Sequence, residues 1–196
     1  MEKAKKPKQD NRARNWTFIA YPESCEKIDL ISTLDDLHIE YAISPLHDSD
    51  INADGTKKKP HYHVGLFFDG KKSYTQILEI TQKLHCPNPQ KTASVKGLLR
   101  YMKHLDNPEK YQYQGDIEVH GGLDLEAIMA PTYNEKRLMQ KEIATFVLDN
   151  EIQEMADLTA YCIDHEKDDW LDIIMNVSTT YFSNLTRSIR HRRRND

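Results

Sequence analysis

Two histidines, His61 and His63, lie two positions apart at the start of an apolar segment, in the sequence PHYHVGLFF at 60–68. Residues i and i+2 of a β-strand point to the same face, so a strand here would project two imidazoles side by side. Neutral imidazole is a common ligand of first-row divalent metal ions. The pair therefore predicts half of a metal site. The alternative is two half-buried histidines whose ring nitrogens are satisfied by the backbone and by water.

A third histidine and two aspartates follow the preceding predicted strand, in the sequence HDSD at 47–50. If the strands around 40–47 and 61–68 pair antiparallel, His47 and His61 flank the connecting loop. Asp50, three residues after His47, is better placed to reach the metal across a turn. Asp48 is instead a candidate to orient a ligating imidazole by hydrogen bonding to it. Three nitrogens and one carboxylate leave open coordination positions, as a catalytic metal site requires. The predicted ligands are His47, Asp50, His61 and His63.

The metal motif alone does not define the reaction, because an HxH pair with an upstream histidine also occurs in zinc hydrolases and cupin-like barrels. Tyr101 supplies a candidate nucleophile on a short predicted helix, in LLRYMKH at 98–104. A free phenol of pKa ~10 is a poor nucleophile, but a metal that neutralises a phosphate lowers the repulsion against its attack. The alternatives are a core aromatic at Tyr101, or Tyr111 or Tyr113 as the nucleophile. The cations predicted to favour the phenolate or to hold phosphates are Arg100, Lys103 and His104.

Hydrophobic periodicity and turn signals predict the elements that position these residues. The polar stretch 48–60 is a predicted loop. The order β-α-β-β-α-β, with extra pieces, predicts an α+β fold with a central antiparallel sheet and helices on one side. The predicted strands are 15–21, 40–46, 61–68, 92–95, 111–113 and 117–119, and the predicted helices are 24–38, 73–85 and 96–104.

The residue pattern changes near Ala130 and Pro131, after which apolar residues have helical spacing. This change predicts a first domain at 1–131 and a second at 132–196. Thr132 and Glu135 match a capping box, and the apolar residues that follow have helical spacing. The second domain is therefore predicted to be all-helical. It is too short to bury a large core alone, so it is expected to pack on the first domain or on copies of itself.

Composition indicates a globular protein of 196 residues with a net charge of −4. Three scattered cysteines without CxxC spacing favour a reducing compartment, and no signal peptide or bilayer-spanning segment is expected. Both ends are basic, which is typical of phosphate-binding arms or of solubility tails. These basic residues are Lys3, Lys5, Lys6, Lys8, Arg12 and Arg14, and then Arg187, Arg190, Arg192, Arg193 and Arg194.

The order HxxD, then PHYHV, then RYMKHLDNPEKYQY resembles the RepB-type plasmid initiators of rolling-circle replication, within the HUH endonuclease class. The resemblance covers about residues 12–130 well and the helical tail more loosely. It implies an origin-binding and nicking domain with helices on the faces of an antiparallel sheet. Tyr101 matches the family's catalytic tyrosine. The positions that match the family's ligands to Mn²⁺ or Mg²⁺ are His47, Asp50, His61 and His63.

The resemblance further implies attack on a single-stranded hairpin of the plasmid double-strand origin, with flanking duplex bound. The products are a 5′-phosphotyrosine and a 3′-OH primer for the host replication machinery, and strands are rejoined at termination. The helical domain resembles the family's oligomerisation domain, which implies a homo-oligomeric ring, such as a hexamer, in the bacterial cytoplasm and no membrane partner. His104 stands where the wider class often has a lysine, so either Lys103 or His104 is expected to contact phosphate. A two-tyrosine relay is not expected, since no second tyrosine has helical spacing from Tyr101.

Two other functions fit the residues less well. A metallohydrolase of phosphate esters would use a metal-bound water and would not need Tyr101. A non-enzymatic, oligomeric DNA-binding regulator with a structural metal would bind DNA without cleaving it. The open coordination positions favour an enzyme.

Overall fold

The computed structural model describes residues 11–193, which form two compact units divided between Met129 and Ala130. The predicted basic residues Lys3, Lys5, Lys6, Lys8 and Arg194 lie outside the described residues. In the first unit the strands are β1 (Ala13–Ala20), β2 (Glu40–Ile43), β3 (Tyr62–Lys72), β4 (Gln90–Lys91) and β5 (Glu118–His120), and the helices are α1 (Lys27–Asp35), α2 (Tyr74–Lys83), α3 (Val95–Tyr101) and α4 (Leu125–Met129).

The five strands form one antiparallel sheet in the order β4-β1-β3-β2-β5, which confirms the predicted α+β architecture. β3 is central and has the longest pairing, with β1 on one side and β2 on the other. The prediction that helices cover one side was wrong, because β3 is apolar and buried on both faces. Val64 and Leu66 pack in the core with α1 and α2, while Phe67 packs with Leu98 and Leu99 of α3.

The alternation along β3 decides which helix lies over the histidines. His63 shares its face with Gly65 and Phe67, which is the face that α3 covers. A Cβ added at Gly65 would lie 2.8 Å from the Phe67 ring and 2.9 Å from Leu98 Cδ2. Gly65 therefore allows the close approach of α3, whose last residue is Tyr101.

Several helices and strands begin or end at residues other than those predicted. α1 begins at Lys27 rather than at 24, the edge strand is Gln90–Lys91 rather than 92–95, and α4 was not predicted. The predicted strand at 111–113 is wrong, since these residues form an irregular segment. This segment bonds to the predicted active-site region instead of to a neighbouring strand. The Tyr113 hydroxyl accepts a hydrogen bond from the Ser49 N–H, and the Tyr111 carbonyl faces His104 Nδ1.

The second unit is helical, as predicted, and Thr132 and Glu135 form the predicted capping box. Ile143, Val147 and Phe182 are among the apolar side chains that form its own buried core. None of the helices within residues 11–193 is both long and apolar enough to span a bilayer. The helices are α5 (Tyr133–Asp149), α6 (Met155–Asp164), α7 (Asp168–Asp172) and α8 (Thr179–Arg193), with a π-helical turn at Ile173–Val177.

Candidate metal centre and active site

Three imidazoles meet where β2 and β3 converge on the loop that joins them. His47 and His61 form an isolated antiparallel bridge, with backbone N–H···O distances of 2.8 and 3.1 Å. The ring centroid of His47 lies 5.4 Å from that of His61 and 4.7 Å from that of His63. One ring nitrogen of each residue lies within 4.8 Å of the other two, which is a spacing that one cation can bridge.

Backbone carbonyls fix the tautomers of the His47 and His61 imidazoles. A carbonyl only accepts, so the nitrogen facing it carries the hydrogen: His47 Nε2 lies 2.9 Å from the Met102 carbonyl, and His61 Nδ1 lies 2.8 Å from the Lys59 carbonyl. The other nitrogen of each neutral ring then keeps its lone pair, as in many protein metal ligands. The buried nitrogens that have no hydrogen-bond partner within residues 11–193 include His47 Nδ1, His63 Nε2 and His104 Nε2. Such nitrogens fit a divalent cation.

Asp50 supplies a carboxylate to this cluster. Its Oδ2 lies 3.6 Å from His47 Nδ1 and 3.9 Å from His61 Nε2, while its Oδ1 accepts a 3.0 Å hydrogen bond from the Tyr113 hydroxyl. Burial alone would raise the pKa of Asp50, but the Tyr113 hydrogen bond and the nearby side chains of His104, His47 and Lys58 hold that pKa below its usual value. Asp50 is therefore an anion that faces the imidazoles.

His104, predicted as a phosphate contact, is fully buried beside this cluster. Its Nδ1 lies 2.8 Å from the Tyr111 carbonyl, and its backbone has a positive φ of 58°. His47, Asp50 and His104 form a second group whose ligand atoms lie within 4.8 Å of one another. The structure thus places four imidazoles and one carboxylate together, one imidazole more than the predicted ligand set.

Burial keeps two of these imidazoles neutral. It lowers the pKa of His47, and it lowers the pKa of His63 to about 3, with the neighbouring histidines adding to the effect at His63. Their lone pairs are consequently available to a cation at pH values where an exposed histidine is already protonated.

The low pKa of His63 predicts an acid-sensitive apo fold. Unfolded His63 takes up a proton near pH 6.5 and the folded residue only near pH 3, so stability falls as the pH decreases between these values. We expect that wild type loses about 2 kcal/mol more than His63→Gln between pH 7.5 and 5 in the presence of a chelator. Urea unfolding followed by Trp16 fluorescence, with Trp170→Phe as the background, measures this difference. Equal losses in the two proteins would contradict it.

Tyr101 lies at the rim of the cluster. Its ring centroid is 5.2 Å from that of His63 and 5.3 Å from that of His104, and the side chain is only half-buried. It lines a cavity of about 240 Å³ together with His61 and His63. The phenol therefore faces open space next to the imidazoles and not the packed interior.

The other two candidate tyrosines have different surroundings. Tyr113 is buried and stacks on the His47 ring at 4.0 Å. Burial, followed by its hydrogen bond to Asp50, raises its pKa to about 12, so it is suited to orient the carboxylate rather than to attack phosphate. Tyr111 is 57% exposed, and its carbonyl orients His104.

A cation close to the phenol is Lys110, which was not among the residues predicted from the sequence. Its Nζ lies 3.4 Å from the Tyr101 hydroxyl and 4.7 Å from the ring centroid. Arg100 is instead held by both carboxylate oxygens of Asp106, and Lys103 is half-buried. Lys110 lies in the turn region that follows α3. It is nine residues from Tyr101, and no sequence motif predicts that two residues at this separation are in contact.

Asp48, predicted to orient an imidazole, is exposed and accepts a hydrogen bond from the Ser49 hydroxyl at 2.9 Å. The backbone carbonyls of Lys59, Met102 and Tyr111 orient the imidazoles instead. A carbonyl contact of this kind depends on the fold and not on residue type, so no sequence motif records it.

Two family comparisons cover nearly the whole chain. The family described as plasmid replication protein, origin binding domain, matches residues 8–126, and the family of the C-terminal domain of replication protein RepB matches residues 133–191. A replication protein of Staphylococcus aureus is 39% identical over 186 residues, which cover 94% of this chain and 93% of that protein. Replication protein RepB of Lactiplantibacillus plantarum is 41% identical over 180 residues, covering 90% of this chain and 81% of that protein.

Proposed function

The chain belongs to the RepB family of plasmid replication initiators and contains the family's origin-binding domain, and we propose that it starts rolling-circle replication by nicking one strand of the origin. The observation that carries this proposal is the position of Tyr101, half-buried against a cluster of imidazoles, some of whose nitrogens have no hydrogen-bond partner among residues 11–193. A nucleophile beside a phosphate-binding cation is the arrangement that phosphoryl transfer requires.

The proposed cation is Mn²⁺ or Mg²⁺, held by His47, Asp50, His61 and His63 with His104 next to them. When bound, it would polarise a non-bridging phosphate oxygen and reduce the charge that the nucleophile meets. Several imidazoles and a single carboxylate favour Mn²⁺, since Mg²⁺ prefers oxygen ligands and retains water. Tyr113 would hold the Asp50 carboxylate in place through its 3.0 Å hydrogen bond.

Tyr101 carries out the proposed displacement. Its oxygen forms a bond to the scissile phosphorus while the bond from phosphorus to O3′ breaks; the phenol gives up its proton and the departing oxygen takes one up. The products are a 5′-phosphotyrosine and a free 3′-OH, which the host replication machinery can extend. The covalent bond conserves the phosphodiester energy, so a 3′-OH can attack it at termination and rejoin the strand without ATP.

Lys110 is proposed to stabilise charge on the attacking oxygen, because its ammonium group is the cation that contacts this oxygen. Lys110→Met is expected to slow single-turnover nicking by about 10- to 100-fold with little change in origin binding, whereas Lys110→Arg retains part of the rate. The matched control is Lys83→Met, which removes an exposed lysine at the end of α2. Equal rates for Lys110→Met and wild type would exclude this role of Lys110.

The second unit is proposed to assemble the initiator into a homo-oligomeric ring, such as a hexamer. In support, several large apolar side chains of this unit are exposed despite its own buried core. They are Leu138, Leu148, Ile163, Met175 and Tyr181.

The direct test of the proposed function is to map the covalent bond. Tiled single-stranded oligonucleotides from the replicon that encodes the chain are incubated with the protein and Mn²⁺, and the peptides are analysed by mass spectrometry. A nucleotide adduct on Tyr101 supports the proposal. Cleavage without any adduct would favour a metallohydrolase, and binding without cleavage would favour a regulator. An adduct on Tyr111 or Tyr113 would keep the reaction class and overturn the assigned nucleophile.

A further inference from the structure

The 240 Å³ cavity beside Tyr101 is also lined by residues other than the imidazoles and Tyr101, and the metal chemistry does not account for these residues. It lies between the residue after β1, the loop before β3, the start of β3 and the end of α3. His61, His63 and Tyr101 line one part of it. Tyr21, Lys58 and Lys59 line another.

The part of the cavity lined by Tyr21, Lys58 and Lys59 combines an aromatic ring with positive charge. Tyr21 is half-buried, and Lys59 Nζ lies 4.8 Å from the centroid of its ring. Both lysine side chains are more than a third exposed, and the described residues that line the cavity include no carboxylate. Lys59 also pairs with Glu23 at 2.8 Å, but an ion pair this exposed is weak and a phosphate can replace it.

Aromatic rings together with lysines are the usual means of binding single-stranded nucleic acid, since the rings stack on bases and the cations follow the backbone. We propose that this cavity holds one nucleotide of a single strand, with its base stacked on Tyr21 and a flanking phosphate paired with Lys59. This inference rests on the proposed function, because Tyr101 and the imidazoles that line the same cavity would place the bound nucleotide next to the cleaved phosphate.

The size of the cavity limits the ligand further. Pockets for drug-sized molecules usually exceed ~300 Å³, so a cavity of about 240 Å³ has room for at most one nucleotide. A base in a duplex is paired and stacked and cannot enter a recess of this kind unless it leaves the helix. The cavity would therefore select unpaired DNA and leave recognition of the duplex origin to other surfaces of the domain.

The test measures DNA affinity in a chelator, where no cleavage is expected. Fluorescence anisotropy is recorded for single-stranded origin oligonucleotides and for the duplex origin. Tyr21→Ala is expected to weaken single-strand binding about 5- to 100-fold, while Tyr21→Phe binds as wild type and the duplex affinity is unchanged in both. Lys59→Met should reduce the slope of log K against log salt concentration by about 0.7 for the single strand. Tyr74→Ala and Lys83→Met are the matched controls from α2.

A second measurement uses only the wild-type protein and so does not depend on the folding of a variant. 2-Aminopurine is placed at each position of the oligonucleotide in turn, and the position quenched by stacking is expected to adjoin the phosphate found in the tyrosine adduct.

The outcomes separate this inference from the proposed function. If Tyr21→Ala weakens single-strand binding but no adduct forms, the nucleotide site stands and the nicking proposal fails. If an adduct forms on Tyr101 while Tyr21→Ala binds and is cleaved as wild type, nicking stands and the nucleotide site is overturned.

Discussion

Tyr101→Phe is expected to lose nicking of supercoiled origin plasmid by a factor of about 10⁴ or more, together with all covalent adduct. The substitution removes one oxygen atom, and that oxygen is the proposed nucleophile, for which water in the same site is a poor replacement. The ring remains, so its packing against His63 and the fold around it are preserved. The measurement is the rate of conversion of supercoiled to open-circular plasmid in Mn²⁺.

Tyr111→Phe is the matched control, because this tyrosine is exposed and contributes a carbonyl rather than its hydroxyl. It should nick at nearly the wild-type rate. Binding of Tyr101→Phe to duplex origin DNA should also be unchanged. Persistent nicking by Tyr101→Phe would remove the tyrosine from the mechanism and favour hydrolysis by a metal-bound water.

His63→Ala is expected to reduce Mn²⁺ affinity by at least ~100-fold, measured by calorimetry on the apo protein. His63 Nε2 is buried without a hydrogen-bond partner in the described part of the chain, and it belongs to the group of three imidazoles that one cation can bridge. Removing one donor also leaves the remaining imidazoles around a cavity. Nicking should fall with metal occupancy and recover in part at high Mn²⁺ concentration.

Tyr113→Phe provides a graded comparison, because it removes the hydroxyl that bonds to Asp50 and to the Ser49 N–H but keeps the ring that stacks on His47. Loss of such an outer contact usually costs 10- to 100-fold in metal affinity, so its effect should be smaller than that of His63→Ala. His165→Ala, an exposed histidine of the second unit, should bind Mn²⁺ as wild type. If His63→Ala bound the ion with unchanged affinity, the assigned site would be incorrect.

The predicted architecture was largely accessible from the sequence, since hydrophobic alternation and capping residues act locally. The PHYHV motif predicted the start of a strand, and Ser73 and Thr132 marked the beginnings of two helices, where both form capping boxes. The closeness of His47 to His61 followed from the expected antiparallel pairing of the strands on either side of the loop, and the two residues form an antiparallel bridge. Hydrophobic periodicity placed helices on one side only, although the family resemblance implied helices on the faces of the sheet, because a central strand buried on both faces loses its simple alternation.

The sequence by itself determined which residue types were available for chemistry: closely spaced histidines and aspartates, and a tyrosine on a basic helix. Only the tertiary structure decided their surroundings. It buried His104 beside His47, turned Tyr113 towards Asp50, and brought Lys110 to the phenol of Tyr101. The physical reason is that spacing along a strand or helix fixes neighbours only within that element. Contacts that depend on an irregular segment, on a positive φ at His104, or on a backbone carbonyl are set by how the whole domain packs.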